Sequence, residues 1–192
     1  HGPIGPSASC AIYSNNKFTV YSHSQSNFAL KQSISSYFNI DTSMVNIKFM
    51  PGSGCYGHNG ADDVAFEASV LSKAYPACHI LLKWTRENEH CWEPYGSASI
   101  NKLFGAINDE GQIVYWSNEA FSDTYLSRPS NEELNNFTSF KFLNNDFSKI
   151  RSKPKTSAHM GIHRNLDPLY NFSKTRLVKN LVHDLPLRTS AL

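Results

Sequence analysis

Four glycines stand within ten residues in "PGSGCYGHNG": Gly52, Gly54, Gly57 and Gly60, with Asp62 and Asp63 directly after them. Regular elements do not tolerate that much glycine, so the stretch is a loop. It follows a strand-like segment and precedes a helix-like one. Glycines let a ligand approach the backbone closely. Successive exposed amides, together with a helix start, make a concave seat for oxygens with negative charge. The segment therefore reads as an anion or cofactor cradle, and equally as a tight turn made only for packing; spacing alone leaves both open. Asp62 and Asp63 oppose a bare phosphate at the helix start, because like charges repel. A cofactor that meets the loop upstream, near Gly54 to Gly57, avoids that repulsion.

Other reactive side chains carry weaker signals. Cys10, Cys55, Cys78 and Cys91 have no metal-motif spacing, so a zinc ribbon or cluster-binding run is not supported. They read as reduced, mostly buried thiols, with two disulfides open by count. His159 and His163 form an H-x3-H pair, but Gly161 lies between them and no carboxylate follows in motif order. A small metal hydrolase built on that pair ranks last among the readings. Arg86, Glu87, Glu89 and Glu93 crowd around Trp84, Trp92 and Tyr95. This segment reads first as a solvated turn with aromatic packing, and second as a buried polar network or a subunit contact. No GxGxxG or GxxxxGK[ST] string is present, so dinucleotide and triphosphate loops in their common form are not supported.

The elements that must position these residues follow from periodicity. "CAIYSNNKFTVYS" reads as a hairpin, with strands at Ala11–Tyr13 and Phe18–Ser22 around Ser14-Asn15-Asn16. Leu30, Ile34, Tyr37 and Phe38 form a helical stripe. Ser26 or Asn27 suits its start, and Asn39 its left-handed end. Val45, Ile47 and Phe49 alternate as in a strand. Val64, Ala68, Leu71 and Tyr75 share a helix face that Pro76 ends. Asp62 and Asp63 suit the first turn of that helix. "CHILLKWTR" reads as a buried strand. Two long strands then meet at Asp109-Glu110-Gly111. From Ser127 to Gly161 the chain is rich in Asn, Ser and Lys, with a short helix expected at Asn131–Phe137. A last strand is expected over Thr175–His183. The fold class is α+β: a two-layer α/β sandwich with a mixed sheet, a β-β-α-β-α-β core and an extra long hairpin.

Composition bounds the class. The chain has 192 residues, 40% of them apolar, and a formal net charge of +2 from 18 basic and 16 acidic residues. A chain of this length buries roughly 70% of its unfolded surface, so one core is sufficient without staples. Such apolarity excludes wholesale disorder. No apolar run approaches the ~20 residues of a membrane-spanning helix, and no secretory leader pattern is visible. Charge this close to zero argues against a nucleic-acid footprint.

Four blocks, "HGPIGPSAS", "GSGCYGHNGADDVAFEASVL", "WTRENEHCWEPYGSA" and "NLDPLYNF…LPLRTSAL", together resemble the large, molybdenum-binding subunit of the molybdenum hydroxylases. That family includes xanthine dehydrogenase and aldehyde oxidase. The nearest branch is the isoquinoline 1-oxidoreductase and nicotinate dehydrogenase type of β subunit. The resemblance runs from His1 to about Arg128 and resumes from Gly161 to Leu192. It implies a bacterial oxidoreductase with a molybdopterin cofactor in its cytosine dinucleotide form. It implies hydroxylation of N-heteroaromatic or aldehyde substrates with water as the oxygen source, and electron transfer to an iron–sulfur partner subunit. Residues 1–126 would form the first part of the cofactor-binding domain, 127–160 an irregular excursion, and 161–192 the start of a further strand unit. The family's glutamine after the second strand falls on Gln25, whose neutral amide can donate to a metal oxo group. The family's glycine loop falls on Gly54, Cys55, Tyr56 and Gly57, with backbone amides facing the cofactor. His58 and Asn59 are substrate-side candidates. Cys55 is not expected to bind the metal, because the family's molybdenum takes its sulfurs from the pterin.

The chain departs from the family pattern in two respects. It reads GSGCYG where GGGFGG is commoner. It also lacks the later arginine, the second glycine loop and the glutamate base. A general base must lie within hydrogen-bond reach of the water it activates. The resemblance thus implies a piece of a longer subunit, inactive alone, that needs the rest of that subunit. It leaves a cytoplasmic and an exported location equally open. The competing reading is a non-catalytic interaction module that keeps the fold, with the Asn/Ser-rich excursion as its partner surface.

Overall fold

The computed structural model describes residues 1–56, 58–123, 136–145, 162, 166–182 and 187–190. Gly57, His159, Gly161, His163 and the 131–135 stretch of the expected short helix lie outside the described residues.

The chain opens with the expected hairpin, β1 (Ala8–Ser14) and β2 (Lys17–Ser22), paired antiparallel. Asn15 and Asn16 both take positive φ, 50° and 59°. That is the turn whose twist matches the strands it joins, and asparagine tolerates it. Helix α1 (Asn27–Phe38) ends where Asn39 turns left-handed at φ 50° and its amide meets Ser36 O at 3.2 Å. Ser26 occupies the N-cap position without a side-chain capping bond. A 3₁₀ turn over Thr42–Met44 leads into β3 (Val45–Phe49), which lies parallel to β2. Helix α2 (Ala61–Ala74) then crosses to β4 (Ile80–Lys83) beside β1, giving the order β3-β2-β1-β4.

Both helices cover one sheet face. Ala11, Phe18, Val20 and Val45 from the strands meet Leu30 and Ile34 of α1 and Ala65, Phe66 and Ala68 of α2. Phe137 enters the same core and stacks on Phe66 with centroids 4.5 Å apart. Each such buried large side chain stabilises the fold by about 2 kcal/mol relative to exposure.

The other arm is a second sheet, ordered β5-β6-β7. Strands β5 (Ser99–Ile107) and β6 (Ile113–Ser122) form the expected hairpin, and Gly111 supplies φ 77° at its turn. Strand β7 (Thr175–Leu181) runs parallel to β6. The long hairpin thus belongs to its own mixed sheet.

The structure corrects several sequence expectations. Leu71 and Tyr75 do not join the core stripe: they are 39% and 62% exposed, because α2 turns Val64, Ala65, Phe66 and Ala68 inward instead. Strand β4 is an edge, with Leu81 75% exposed. The "solvated turn" after it is helix α3 (Arg86–Trp92), opened by a capping box between Thr85 and Asn88. It is also a buried polar network. Glu89 is fully buried and accepts from Ser7 N at 2.8 Å and Ser7 Oγ at 2.9 Å. Arg86 donates to the carbonyls of Pro3 and Ile4 at 2.7 and 2.8 Å. After Phe137 comes α4 (Thr138–Asn144), beyond the span expected for a short helix. All four cysteines are free, and of them only Cys55 is buried.

Candidate cofactor site

Strands β2 and β3 are adjacent and parallel, so their carboxyl ends share one edge of the sheet. In open α/β sheets that edge is where ligands are bound. The corner His23–Ser26 leaves β2 there, and the loop Met50–Gly60 leaves β3 there. Met50 N donates to Ser22 O at 2.9 Å, which keeps the two exits together.

The loop's shape is set by close contacts. A Cβ on Gly52 would lie 2.6 Å from the His23 Cβ, and one on Gly60 would lie 2.3 Å from the Trp84 ring. Gly54 holds φ 95° beneath the Tyr56 ring. Gly52, Gly54 and Gly60 therefore have packing reasons of their own, so the turn and cradle readings are not exclusive. Tyr56 is left-handed at φ 48°, 47% exposed, and its hydroxyl donates to Ser53 O at 3.0 Å. Cys55 is buried.

His58 and Asn59 both have buried side chains. Asn59 is fully buried; its Nδ2 donates to Gly54 O at 3.0 Å and its Oδ1 accepts from Ala61 N at 2.9 Å. It closes the loop and serves the first turn of α2. His58 is buried, with Nε2 3.2 Å from Asp62 Oδ2, and its carbonyl accepts from Ser190 Oγ at 2.9 Å.

The acidic pair also turns inward. Asp62 accepts from the Ser24 hydroxyl. Asp63 meets Arg188 Nη1 at 2.6 Å and Thr138 N at 3.2 Å. Arg188 further donates to Asn136 O at 2.8 Å and Trp92 O at 2.5 Å. Both carboxylates are themselves buried and engaged by neighbours, so their charge does not project onto the outer side of the loop.

Gln25 is exposed at the corner. Its neighbours lean on the loop: His23 packs against Gly52, and Ser24 reaches Asp62. A cleft of about 420 Å³ borders the upstream half of the loop, lined by His23, Met50, Pro51, Gly52 and Ser53 with residues of β1 and β2. It opens beside Gly52 and Ser53 rather than between Gln25 and Tyr56. Burial holds the His23 imidazole below its usual range, opposed by the charge of Glu89 and the nearby Gly54 backbone. The ring approaches that backbone without making a well-formed hydrogen bond.

These residues suit a large, polar, anionic cofactor on the outer side of the loop. The exposed Gln25 carboxamide is neutral, and the buried Asp62 and Asp63 are withdrawn, so neither repels such a group. Among the described residues no cluster of three or more His, Cys, Asp or Glu is placed to hold a metal ion directly. Sequence reasoning named Gln25 and the loop but missed Ser24 and Asp62 as partners. The Ser-x-Ser spacing around Gln25, which favours a side-chain-closed turn, was a signal for Ser24 but not for Asp62.

No protein-family model matches the chain. Its fold matches quinoline 2-oxidoreductase from Pseudomonas putida 86, with TM-score 0.54 and 14% identity over 64% of this chain and 16% of that one. It also matches CO dehydrogenase from Oligotropha carboxidovorans, with TM-score 0.52 and 12% identity over the same shares. The likeness to both is one of fold. In sequence it is similar to a subunit of the nicotinate dehydrogenase of Pseudomonas putida, 34% identical over 131 residues, 68% of this chain. It spans about a tenth of the length of that relative.

Proposed function

We propose that this chain is a segment of the molybdopterin-binding large subunit of an oxidoreductase. The whole protein hydroxylates N-heteroaromatic or aldehyde substrates with oxygen from water and passes electrons to an iron–sulfur partner. When bound, molybdopterin in its cytosine dinucleotide form supplies the two-electron oxidation. This chain's part is to hold it: Gln25 donates its amide, and Gly54, Cys55, Tyr56 and Gly57 contribute main-chain groups. Cys55 contributes only main chain, because its thiol is buried. The base belongs to the rest of the subunit, so these residues bind and orient but move no proton.

The observation that carries the reading is that the Gln25 corner and the glycine loop leave one sheet edge together and both meet Asp62 of α2, the corner through Ser24 and the loop through His58 at 3.2 Å. The 34% identity to a nicotinate dehydrogenase subunit supports it. Turnover of a heteroaromatic substrate by the whole protein in isotopically labelled water tests it. Labelled product is expected; hydroxylated product that carries no label from the water contradicts it.

An interaction module that keeps the fold is the second reading. It draws on β5, where Ile100, Leu103, Phe104 and Ile107 are all more than half exposed. A whole protein that binds partners through this face yet never carries a pterin would favour it.

A further inference from the structure

We propose that Ser24 and Asp62 are positioning residues that set where the Gln25 amide points; the inference rests on the cofactor reading above. The Ser24 hydroxyl has one proton and two lone pairs. It accepts from Ser26 N at 2.9 Å, closing a small turn with Gln25 at its centre. Its proton goes to Asp62 Oδ1. The backbone on both sides of Gln25 is thereby fixed to a carboxylate on α2, 38 residues away in sequence. Ser24 N adds a bond to Ser22 Oγ at 3.1 Å, which ties the turn back to β2.

The other Asp62 oxygen faces His58 at 3.2 Å, within the glycine loop. Asn59 fastens the next step of that loop to Gly54 and to α2. Asp62 thus stands between the two halves of the proposed cradle and touches a member of each. At 1% exposure it can reach no cofactor itself. A carboxylate is suited to this place because both its oxygens only accept, and each faces a group able to donate. A merely structural Asp62 would stabilise the fold without affecting the Gln25 turn in particular.

The test uses the whole protein carrying this chain, as wild type and as S24A, D62N and Q25A. In cofactor-free protein, hydrogen exchange of the amides at 25–27 is measured against those at 30–36 in α1. S24A is expected to speed exchange at 25–27 about tenfold, the effect of one lost hydrogen bond, while α1 stays protected. D62N keeps the shape and can retain the acceptor toward Ser24, so it should change exchange less than S24A. In loaded protein, S24A should shift the electron paramagnetic resonance spectrum of the bound metal toward that of Q25A, lowering kcat more than it raises KM. Unchanged exchange at 25–27 in S24A, or a wild-type spectrum in S24A where Q25A is altered, overturns the positioning role alone. A Q25A protein with wild-type cofactor content, spectrum and turnover overturns the cofactor reading and the inference with it.

Discussion

Gly60 shows how little freedom the loop has at the level of single atoms. A methyl group there would stand 2.3 Å from the Trp84 ring, and that ring is anchored through its indole nitrogen to Glu67 at 2.9 Å. Gly60→Ala must displace the ring or the first turn of α2. A loss of about 1–3 kcal/mol is expected, read as a lowered urea midpoint. His23 gives a pH signature. Its folded pKa is depressed chiefly by burial, so the unfolded chain takes up the proton first. The His23 contribution is complete above about 6.5 and declines as pH falls below that value. Denaturation midpoints across that window should fall with acidification in wild type and fall less in His23→Gln; equal slopes would contradict the assignment. Residue-level chemistry was partly legible in sequence. The glycine loop announces itself by composition, and Asn39 and Asn15-Asn16 by their tolerance of positive φ. The Ser24–Asp62 bond does not, because nothing local links residues so far apart.

Among elements, periodicity was readable where a stripe is broad and not where an element is short or sits at an edge. Helix α1 and the pair β1/β2 carry long apolar patterns, and both formed where expected. Helix α3 has seven residues and one buried side chain, Glu89. It has no apolar stripe, and its capping box uses Asn88 where Glu or Gln is usual. Strand β4 opens on three consecutive apolar residues, Ile80–Leu82, a run that periodicity cannot distinguish from a central strand. What joins these elements is the Arg188 guanidinium, which links α2 through Asp63, α3 through the Trp92 carbonyl, and the Asn136 carbonyl. Removing it leaves the fully buried Asp63 carboxylate with the Thr138 amide at 3.2 Å as its one remaining donor among the described residues. Arg188→Ala should cost about 3 kcal/mol, and Arg188→Lys most of that, because lysine cannot span three acceptors. Thermal unfolding of both variants checks this; a midpoint unchanged by Arg188→Ala would show the clip to be dispensable.

At the scale of the molecule, the described residues form a well-filled core under the first sheet and a smaller cluster of Ala120, Ile162 and Leu166 beside the second. The β5–β6–β7 sheet buries little, and β5 offers apolar side chains on both faces: Leu103 and Ile107 on one, Ile100 and Phe104 on the other. Edge strands of this kind associate unless covered. The 192-residue chain by itself is therefore expected to self-associate, and L103K/F104K to shift it toward monomer on size-exclusion chromatography. Wild type that stays monomeric at high concentration would show that this face needs no cover. No described helix is long and apolar enough to cross a membrane.

The most direct measurement of the central claim is the molybdenum and pterin content of the whole protein, purified with its partner subunit. The account predicts one molybdenum and one pterin per large subunit. A pure, folded complex that oxidises its substrate while holding neither would contradict it.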